Sequence, residues 1–399
     1  MARPVAPARP PRQAPHSPVR RRLSTRRAKL ATRVLLALAT TFIFVIGWSL
    51  GHALTYPGGG SVPQRVAEWA RNHYMGPLVT FGEWLIYTPP KVGGKPTFNL
   101  NKLGGSTVSR TKVKPKHHGI LPIIPPNIPA PPGLPPYPGE GVWKVAVSVH
   151  GVPAVFKTYV RESKTYSSYI AGIVSMDPRL LKFDLRPGSL DPGYGNWGVP
   201  MDIPAGQRQG LVATFNSGFR IASALGGFYL NGHYDGTLVK GAASEVYYRN
   251  GQMKIGAWGS GGLKLGPNVV GVRQNLRLII QNGKIAPNIN SNVESNWGAT
   301  LGGSYFVWRS GIGVTKDGRI VYVYAPELNA QILAQLLKRA GCVTAMELDI
   351  NPDWMSFEYY LPKNHPGNPT PVNLLPNQLQ PAYRYYSISN RDFTAVFAR

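Results

Sequence analysis

Val34 to Leu54 (VLLALATTFIFVIGWSLGHAL) runs for 21 residues without an Asp, Glu, Lys or Arg. As a helix rising about 1.5 Å per residue it covers roughly 30 Å, the thickness of a bilayer's hydrocarbon layer. One transmembrane helix is therefore expected at 34–54. Residues 1–33 carry ten Arg or Lys, no acid and many prolines, a composition expected to give a disordered basic tail. Basic residues on the N-terminal flank hold that end in the cytoplasm and send the C-terminal remainder of the chain across. The expected address is the cell membrane, single-pass, with an extracytoplasmic C-terminal domain. The apolar run exceeds the roughly 7 to 15 residues of a signal-peptide core, and Ala53-Leu54-Thr55 is a poor small-x-small site, which favours an uncleaved signal anchor.

The rest of the composition excludes more than it identifies. With Cys342 alone, the chain can form neither an internal disulfide nor a cysteine-built zinc or iron–sulfur site. Its apolar context just before a strand suits the core. His150, His233 and His365 are too scattered to read as a ligand set. The net charge is +26, but residues 1–140 hold 19 basic and 3 acidic side chains against 25 and 15 in 141–399. Most of the excess falls outside the expected folded part, so no nucleic-acid partner is expected. Between them, 55–140 reads as a membrane-proximal segment and linker. Val62 to Tyr87 mixes aromatics with a few charges, which suits short helices near lipid headgroups. Thr88 to Glu140 turns to Pro, Gly and Lys, which suits an extended polyproline tether. Its Lys112 to His118 stretch reads as solvated or drawn to anionic wall or lipid polymers.

From Gly141 the pattern changes to short strands between turn signals, and 141–399 reads as one domain. Val145, Val147 and Val149 alternate with Lys144, Ala146 and Ser148, and Ala154 to Val160 follows a turn. Asn250-Gly251, Asn282-Gly283 and Asp317-Gly318 each separate two strand-like runs, the signal of a type I′ hairpin. One helix is predicted over Asn329 to Ala340, with Ile332, Leu333, Leu336 and Leu337 on one stripe and Gly341 past its end. Lying between strands Arg319–Tyr324 and Val343–Ile350, it predicts a β-α-β unit with a parallel pair. The fold class expected is α+β, a mixed sheet rich in hairpins behind a transmembrane helix and a Pro-rich tether. Such connections put ligand sites beyond the carboxyl ends of strands.

At that end the period-two rule sets Glu347 and Asp349 on one face of the strand with Asn351 beyond, the two acids about 6.5 to 7 Å apart. Neighbouring carboxylates repel, raising the proton affinity of one and leaving the other ionised, as glycoside-cleaving sites require. A solvated or arginine-paired strand face fits the same pattern. Glu347, Asp349, Asn351 and Asp353 also offer alternating oxygens that calcium could use, although Pro352 and the missing turn glycine make a poor EF-hand. No other cofactor or metal is expected. Thr214 to Arg220 (TFNSGFR) is a strand running into a small polar turn. There Asn216 and Ser217 offer polar groups, Gly218 allows close backbone approach, and Arg220 can face an anion. In Trp308 to Gly313 (WRSGIG), Arg309 can grip a phosphate or neutralise a carboxylate.

The order FNSGF, GAASEVYYRNGQMKIGAW, QNLRLIIQNGK, RSGIGVTKDGR, amphipathic helix and AMELD resembles the phosphodiester glycosidase family over about Ala213 to Ile350. Asn216, Gly218 and Phe219 match an Asn-Gly-Gly-Phe-like turn. Arg309 and Gly313 match an Arg-Thr-Ala-x-Gly strand, and Leu348 and Asp349 match a Leu-Asp-Gly-Gly-Gly-Ser turn. The last match breaks after the acid, where this chain has Ile350-Asn351-Pro352-Asp353-Trp354. The resemblance implies a hydrolase that cleaves the glycosidic C–O bond of a sugar-1-phosphodiester, which at the expected address would belong to envelope or exopolymer glycans. Asp349, Glu347 and Arg309 would then be catalytic, with Asn216, Ser217, Gly218, Arg220, Asn351 and Trp354 (or Trp308 for stacking) binding substrate. Two other readings fit the same residues: a non-catalytic module binding envelope glycopolymers, and a metal-dependent phosphodiesterase. The partners expected are a sugar phosphate and, through one helix, the membrane.

Overall fold

The computed structural model describes residues 18–56, 60–96, 98–101, 103, 106–107, 120–291, 294–298, 306–362 and 365–399. The first 17 residues and the Lys112–His118 stretch lie outside these. The chain divides into two units, Met1–Tyr56 and Pro57–Arg399. In the first, helix α1 (Pro18–Thr55) is continuous through the basic region and the apolar run. Residues 18–33, expected in an unstructured tail, are thus helical. Pro18 stands at the helix start, and the Arg, Lys, Leu and Ala after it are good helix formers. The stretch Arg26–Thr55, 30 residues, is long and apolar enough to cross a membrane.

The second unit begins with a helical hairpin, α2 (Val62–Asn72) and α3 (Gly76–Ile86). Beyond it are three sheets. The nine-stranded sheet runs β1 (Ser106–Thr107), β2 (Lys144–Val149), β3 (Val152–Arg161), β4 (Ile170–Met176), β15 (Ile320–Leu328), β14 (Val307–Thr315), β16 (Cys342–Glu347), β12 (Leu278–Gln281), β13 (Lys284–Ile285). A five-stranded sheet runs β10 (Met253–Ala257), β9 (Ala243–Tyr248), β11 (Val269–Gln274), β7 (Phe228–Leu230), β8 (His233–Asp235). The other runs β18 (Thr370–Asn373), β17 (Phe357–Leu361), β6 (Leu211–Asn216), β19 (Phe393–Ala398), β5 (Leu181–Arg186). One buried cluster joins all three, with Tyr322 and Met346 from the first, Tyr247 and Phe228 from the second and Phe215, Phe357 and Val396 from the third.

The hairpin signals hold, with one difference of geometry. Each of the three dipeptides turns between paired antiparallel strands. Only Asn282-Gly283 has positive φ at both positions, 51° and 72°, as type I′ requires. At the other two turns the glycine alone is left-handed.

The β-α-β expectation needs correcting. After the short helix α4 (Glu294–Trp297), helix α5 (Ala330–Arg339) forms as predicted, capped by the Asn329 side chain on the Ile332 amide at 2.8 Å. The strands on either side, β15 and β16, are not paired, because β14 lies between them and runs antiparallel to both. Gly311 and Gly313 of β14 make this possible. An added Cβ would stand 3.0 Å from Leu337 Cδ1 at the first and 2.8 Å from Cys342 Sγ of β16 at the second, so one glycine lets α5 settle on the strand and the other lets β16 pack beside it. Ile332, Leu333, Leu336 and Leu337 are buried there against Val321, Val323 and Ala345, each contributing roughly 1.5–3 kcal/mol by burial.

The linker expectation also changes. Residues 120–140 are docked on the sheet. Ile128 is buried and pairs with Gly141 through the backbone, the Pro126 carbonyl accepts from Trp143 Nε1 at 2.8 Å, and Glu140 pairs with buried Arg161 at 2.6 Å. Prolines fit such a strap because it lies against the core without needing ladder hydrogen bonds.

Candidate active site

β16 ends at Glu347, so the alternation read from the sequence stops before Asp349. The two acids go to different arginines. Glu347 is 1% exposed, and its Oε1 accepts from Arg309 Nη1 at 2.5 Å. Arg309 also donates to the carbonyls of Leu328 (3.0 Å) and Trp297 (3.2 Å). Its Nε and Nη1 are thus taken up by protein, which is the carboxylate-neutralising reading of Arg309.

Asp349 is held differently. Its backbone N–H donates to the Ser217 carbonyl (3.1 Å), and its own carbonyl accepts from the Ser310 N–H (3.1 Å) and Oγ (2.8 Å). Its Oδ1 accepts from the Asn351 N–H at 2.9 Å, and Oδ2 pairs with Arg391 Nη2 at 3.1 Å. The carboxylate lines a cavity of 340 Å³ with Phe219, Arg220, Asn351, Trp354 and Arg391. The hairpin supplies the remaining wall through Glu68, Arg71, Thr80 and Glu83. Arg220 Nη2 donates to Asn72 Oδ1 of the hairpin at 2.5 Å, and Arg71 pairs with Glu83.

Of the residues singled out in the sequence, Asp349, Asn351, Trp354 and Arg220 meet at this cavity, while Glu347 and Arg309 do not line it. Asn216 is spent on the fold. Its Nδ2 donates to Ser217 O (2.8 Å) and Ser310 Oγ (3.1 Å), and its Oδ1 accepts from the Tyr322 hydroxyl (2.5 Å) and the Ser356 N–H (3.2 Å). The FNSGF turn therefore seats Asp349 through Ser217, while the Gly218 carbonyl accepts from Arg391 (3.3 Å). Trp308 packs toward Tyr324 in the core, ring centres 6.0 Å apart.

Arg391 is the residue that sequence reasoning missed, because Asn390-Arg391-Asp392 lies beyond the recognisable motifs with no local pattern. Besides Asp349 it pairs with Asp191 (3.5 Å) and Glu68 (4.0 Å), and its guanidinium carbon stands 5.5 Å from the Trp354 ring. Behind it, fully buried Arg273 donates to Asp392 (2.7 Å) and to the Phe219 carbonyl. This cationic pair faces several acids, Asp349 among them. Burial pushes Asp349 up to about 6 against the pull of Arg391 and the Asn351 and Ile350 amides. Burial also raises Glu347, opposed by Arg309; repulsion from Asp349 is a smaller contribution. Desolvation therefore outweighs the mutual repulsion expected from the sequence.

The turn after Asp349 is closed on itself. The Asn351 N–H goes to Asp349, the Asp353 N–H goes to Asn351 Oδ1 at 3.0 Å, and the Trp354 and Met355 N–H groups go to Asn351 O. Backbone donors that a glycine-rich nest would turn toward a phosphate are occupied. Among the described residues no group of three or more His, Cys, Asp or Glu is gathered to hold a metal. Glu347 and Asp349, two of the four oxygen residues weighed for calcium, face separate arginines.

No curated protein matches the chain. Among solved structures it is similar to the catalytic domain of zebrafish N-acetylglucosamine-1-phosphodiester alpha-N-acetylglucosaminidase, described as auto-inhibited by pro-peptide. That likeness has 15% identity and a TM-score of 0.39, covering 64% of this chain and 87% of that one. It is also similar to a hypothetical protein from Synechocystis, at 14% identity and a TM-score of 0.34, covering 64% of each chain. A third likeness, to an exported protein from Burkholderia pseudomallei, has 11% identity and a TM-score of 0.31, covering 59% and 75%. Residues 210–349, the stretch from β6 to Asp349 that seats the carboxylate, match the family model described as phosphodiester glycosidase, in agreement with the resemblance read from the motifs.

Proposed function

We propose that this chain is a membrane-anchored hydrolase whose extracytoplasmic domain cleaves the glycosidic C–O bond of a sugar-1-phosphodiester in envelope glycans. The observation that carries the reading is Asp349. It is the last residue of the matched stretch, and its carboxylate lines a cavity beside Arg220 and Arg391. In this reaction the bond from the anomeric carbon to the bridging oxygen breaks, and its electron pair leaves on a phosphate monoester. That leaving group needs cationic stabilisation more than a proton. Arg220 and Arg391 supply it, in place of Arg309. Above pH of about 6 the Asp349 carboxylate is ionised and stabilises the oxocarbenium-like carbon or attacks it. Water then adds to that carbon, and its proton passes to the departing phosphate, whose second pKa is about 6. A second carboxylate is not required for the proton balance. Trp354, at the cavity edge, is the stacking surface for the sugar.

The closed turn after Asp349 favours a second reading, in which the cavity grips a sugar phosphate without cleaving it. Incubating the full chain in detergent with a sugar-1-phosphodiester in ¹⁸O-labelled water separates the readings. The label is expected in the released sugar. Label in the phosphate indicates P–O cleavage, and binding without release of reducing sugar leaves the non-catalytic module.

A further inference from the structure

The second helix of the hairpin has two unlike faces. Thr80 and Glu83 look into the Asp349 cavity. Leu78, Phe81 and Leu85, spaced i, i+3 and i+7, share the stripe on the other side and are 69%, 57% and 62% exposed. Trp84 (58%) and Ile86 (82%) flank them, with Tyr74 at the hairpin tip 98% exposed. A contiguous apolar surface of this kind on a small folded unit marks an interaction site.

We propose that this face of α3 rests on an anionic lipid bilayer surface. Two observations select lipid over a protein partner. Trp, Tyr and Phe beside Leu and Ile is the side-chain mixture that settles at the headgroup boundary. Lys91 and Lys95, just past α3, are exposed, and from Trp84 to Gly139 the sequence has no Asp or Glu, so the neighbourhood is attractive to anionic headgroups. On this arrangement the hairpin is an interfacial element whose polar side is the wall of the candidate active site. The cavity would then sit close to the bilayer and meet substrates carried at its surface.

The test uses the full chain in phosphatidylcholine–phosphatidylglycerol vesicles, with an environment-sensitive fluorophore on single introduced cysteines. Cys342 is buried and its thiol pKa is pushed up by that burial, so it stays unlabelled in the folded protein. Probes are placed by Leu85→Cys on α3, Leu38→Cys in α1 and Leu379→Cys, a 62% exposed position, as the aqueous reference. Headgroup-nitroxide lipid is expected to quench the Leu85 probe at least about twofold more than the Leu379 probe, and less once the anionic lipid is replaced by phosphatidylcholine. An acyl-chain nitroxide is expected to quench the Leu38 probe. A Leu85 probe quenched no more than the Leu379 probe overturns the lipid surface, and a blue-shifted but unquenched one assigns the face to protein contact. An unquenched Leu38 probe removes the membrane span instead, a result separate from the first.

Discussion

Glu347 and Asp349 stand two residues apart, each is an acid beside an arginine, and each is nearly inaccessible; they nevertheless belong to different kinds of site. Glu347 meets an arginine whose Nε and Nη1 are taken at 2.5–3.2 Å by protein, its own Oε2 being buried without a hydrogen bond. Asp349 meets one that spreads over Asp349, Asp191, Glu68 and a carbonyl at 3.1–4.0 Å, with its Nε in no hydrogen bond and a cavity alongside. The first pair is short and lies off the cavity. The second retains capacity for an anion, because a cation shared loosely among several acids can be redirected without first breaking a short bond. The presence of a charged pair is therefore a poor guide to function; what separates these two is that one lines a cavity and shares its cation among several acids while the other does neither.

The most direct challenge to this contrast is to remove each acid in turn. Asp349→Asn is expected to lower kcat/KM on a sugar-1-phosphodiester by about 10²–10⁴-fold with an unchanged far-ultraviolet spectrum. Full turnover would remove Asp349 from the chemistry. Arg309→Met or Glu347→Leu should instead act on the fold, since either leaves a charge buried without its partner, at a cost of about 3–5 kcal/mol in denaturant unfolding. Combining them should recover much of that loss. If the single variants kept their stability and lost turnover, the Glu347 pair would be catalytic after all.

The pH dependence of turnover probes the Asp349 pair. An ionised Asp349 predicts that kcat/KM rises with pH around a midpoint near 6. Because Arg391 holds that midpoint down, Arg391→Gln should raise it by about one unit. Stability runs the other way. The folded carboxyl keeps its proton to about 6 while the unfolded one loses it near 4, so the native state binds more protons in that window. Stability should fall by roughly 2–3 kcal/mol as pH rises through it. The slope should be smaller by that amount in Asp349→Asn, the remainder coming from other acids that burial also raises, Glu347, Glu358 and Glu327 among them. A slope of the opposite sign would mean the folded carboxylate is stabilised rather than desolvated.

The smallest effect expected is at the hairpin. Asn72→Ala removes one half-exposed hydrogen bond to Arg220, worth about 0.5–1.5 kcal/mol. A change in KM of a few-fold with kcat nearly constant would place the hairpin at the substrate entrance. No change would make it a passive cover.

Much of this molecule was legible in its residue pattern. Turn dipeptides at 250–251, 282–283 and 317–318 and the stripe of α5 are local signals, set by φ preferences and periodicity, and they led to the observed hairpins and helix. The motifs around Asn216 and Asp349 were legible as a family pattern. Their division of labour was not. Asn216 looked like a substrate ligand and is a clip for Asp349, because which hydrogen bonds an amide makes depends on Tyr322 and Ser356, more than a hundred residues away. The insertion of β14 between β15 and β16 was equally hidden, since no rule of local periodicity says which strand fills the space under a crossover.

By itself, then, the sequence determined the apolar helix, the strand-and-turn rhythm, the one amphipathic helix and the acid at position 349, since each depends on neighbours a few residues apart. Only the tertiary structure decided that Arg391 and the hairpin, from opposite ends of the second unit, frame that acid while Arg309 turns inward. The reason is that lining a cavity and sharing a cation are properties of groups distant in sequence, and neither can be read from a few neighbouring residues.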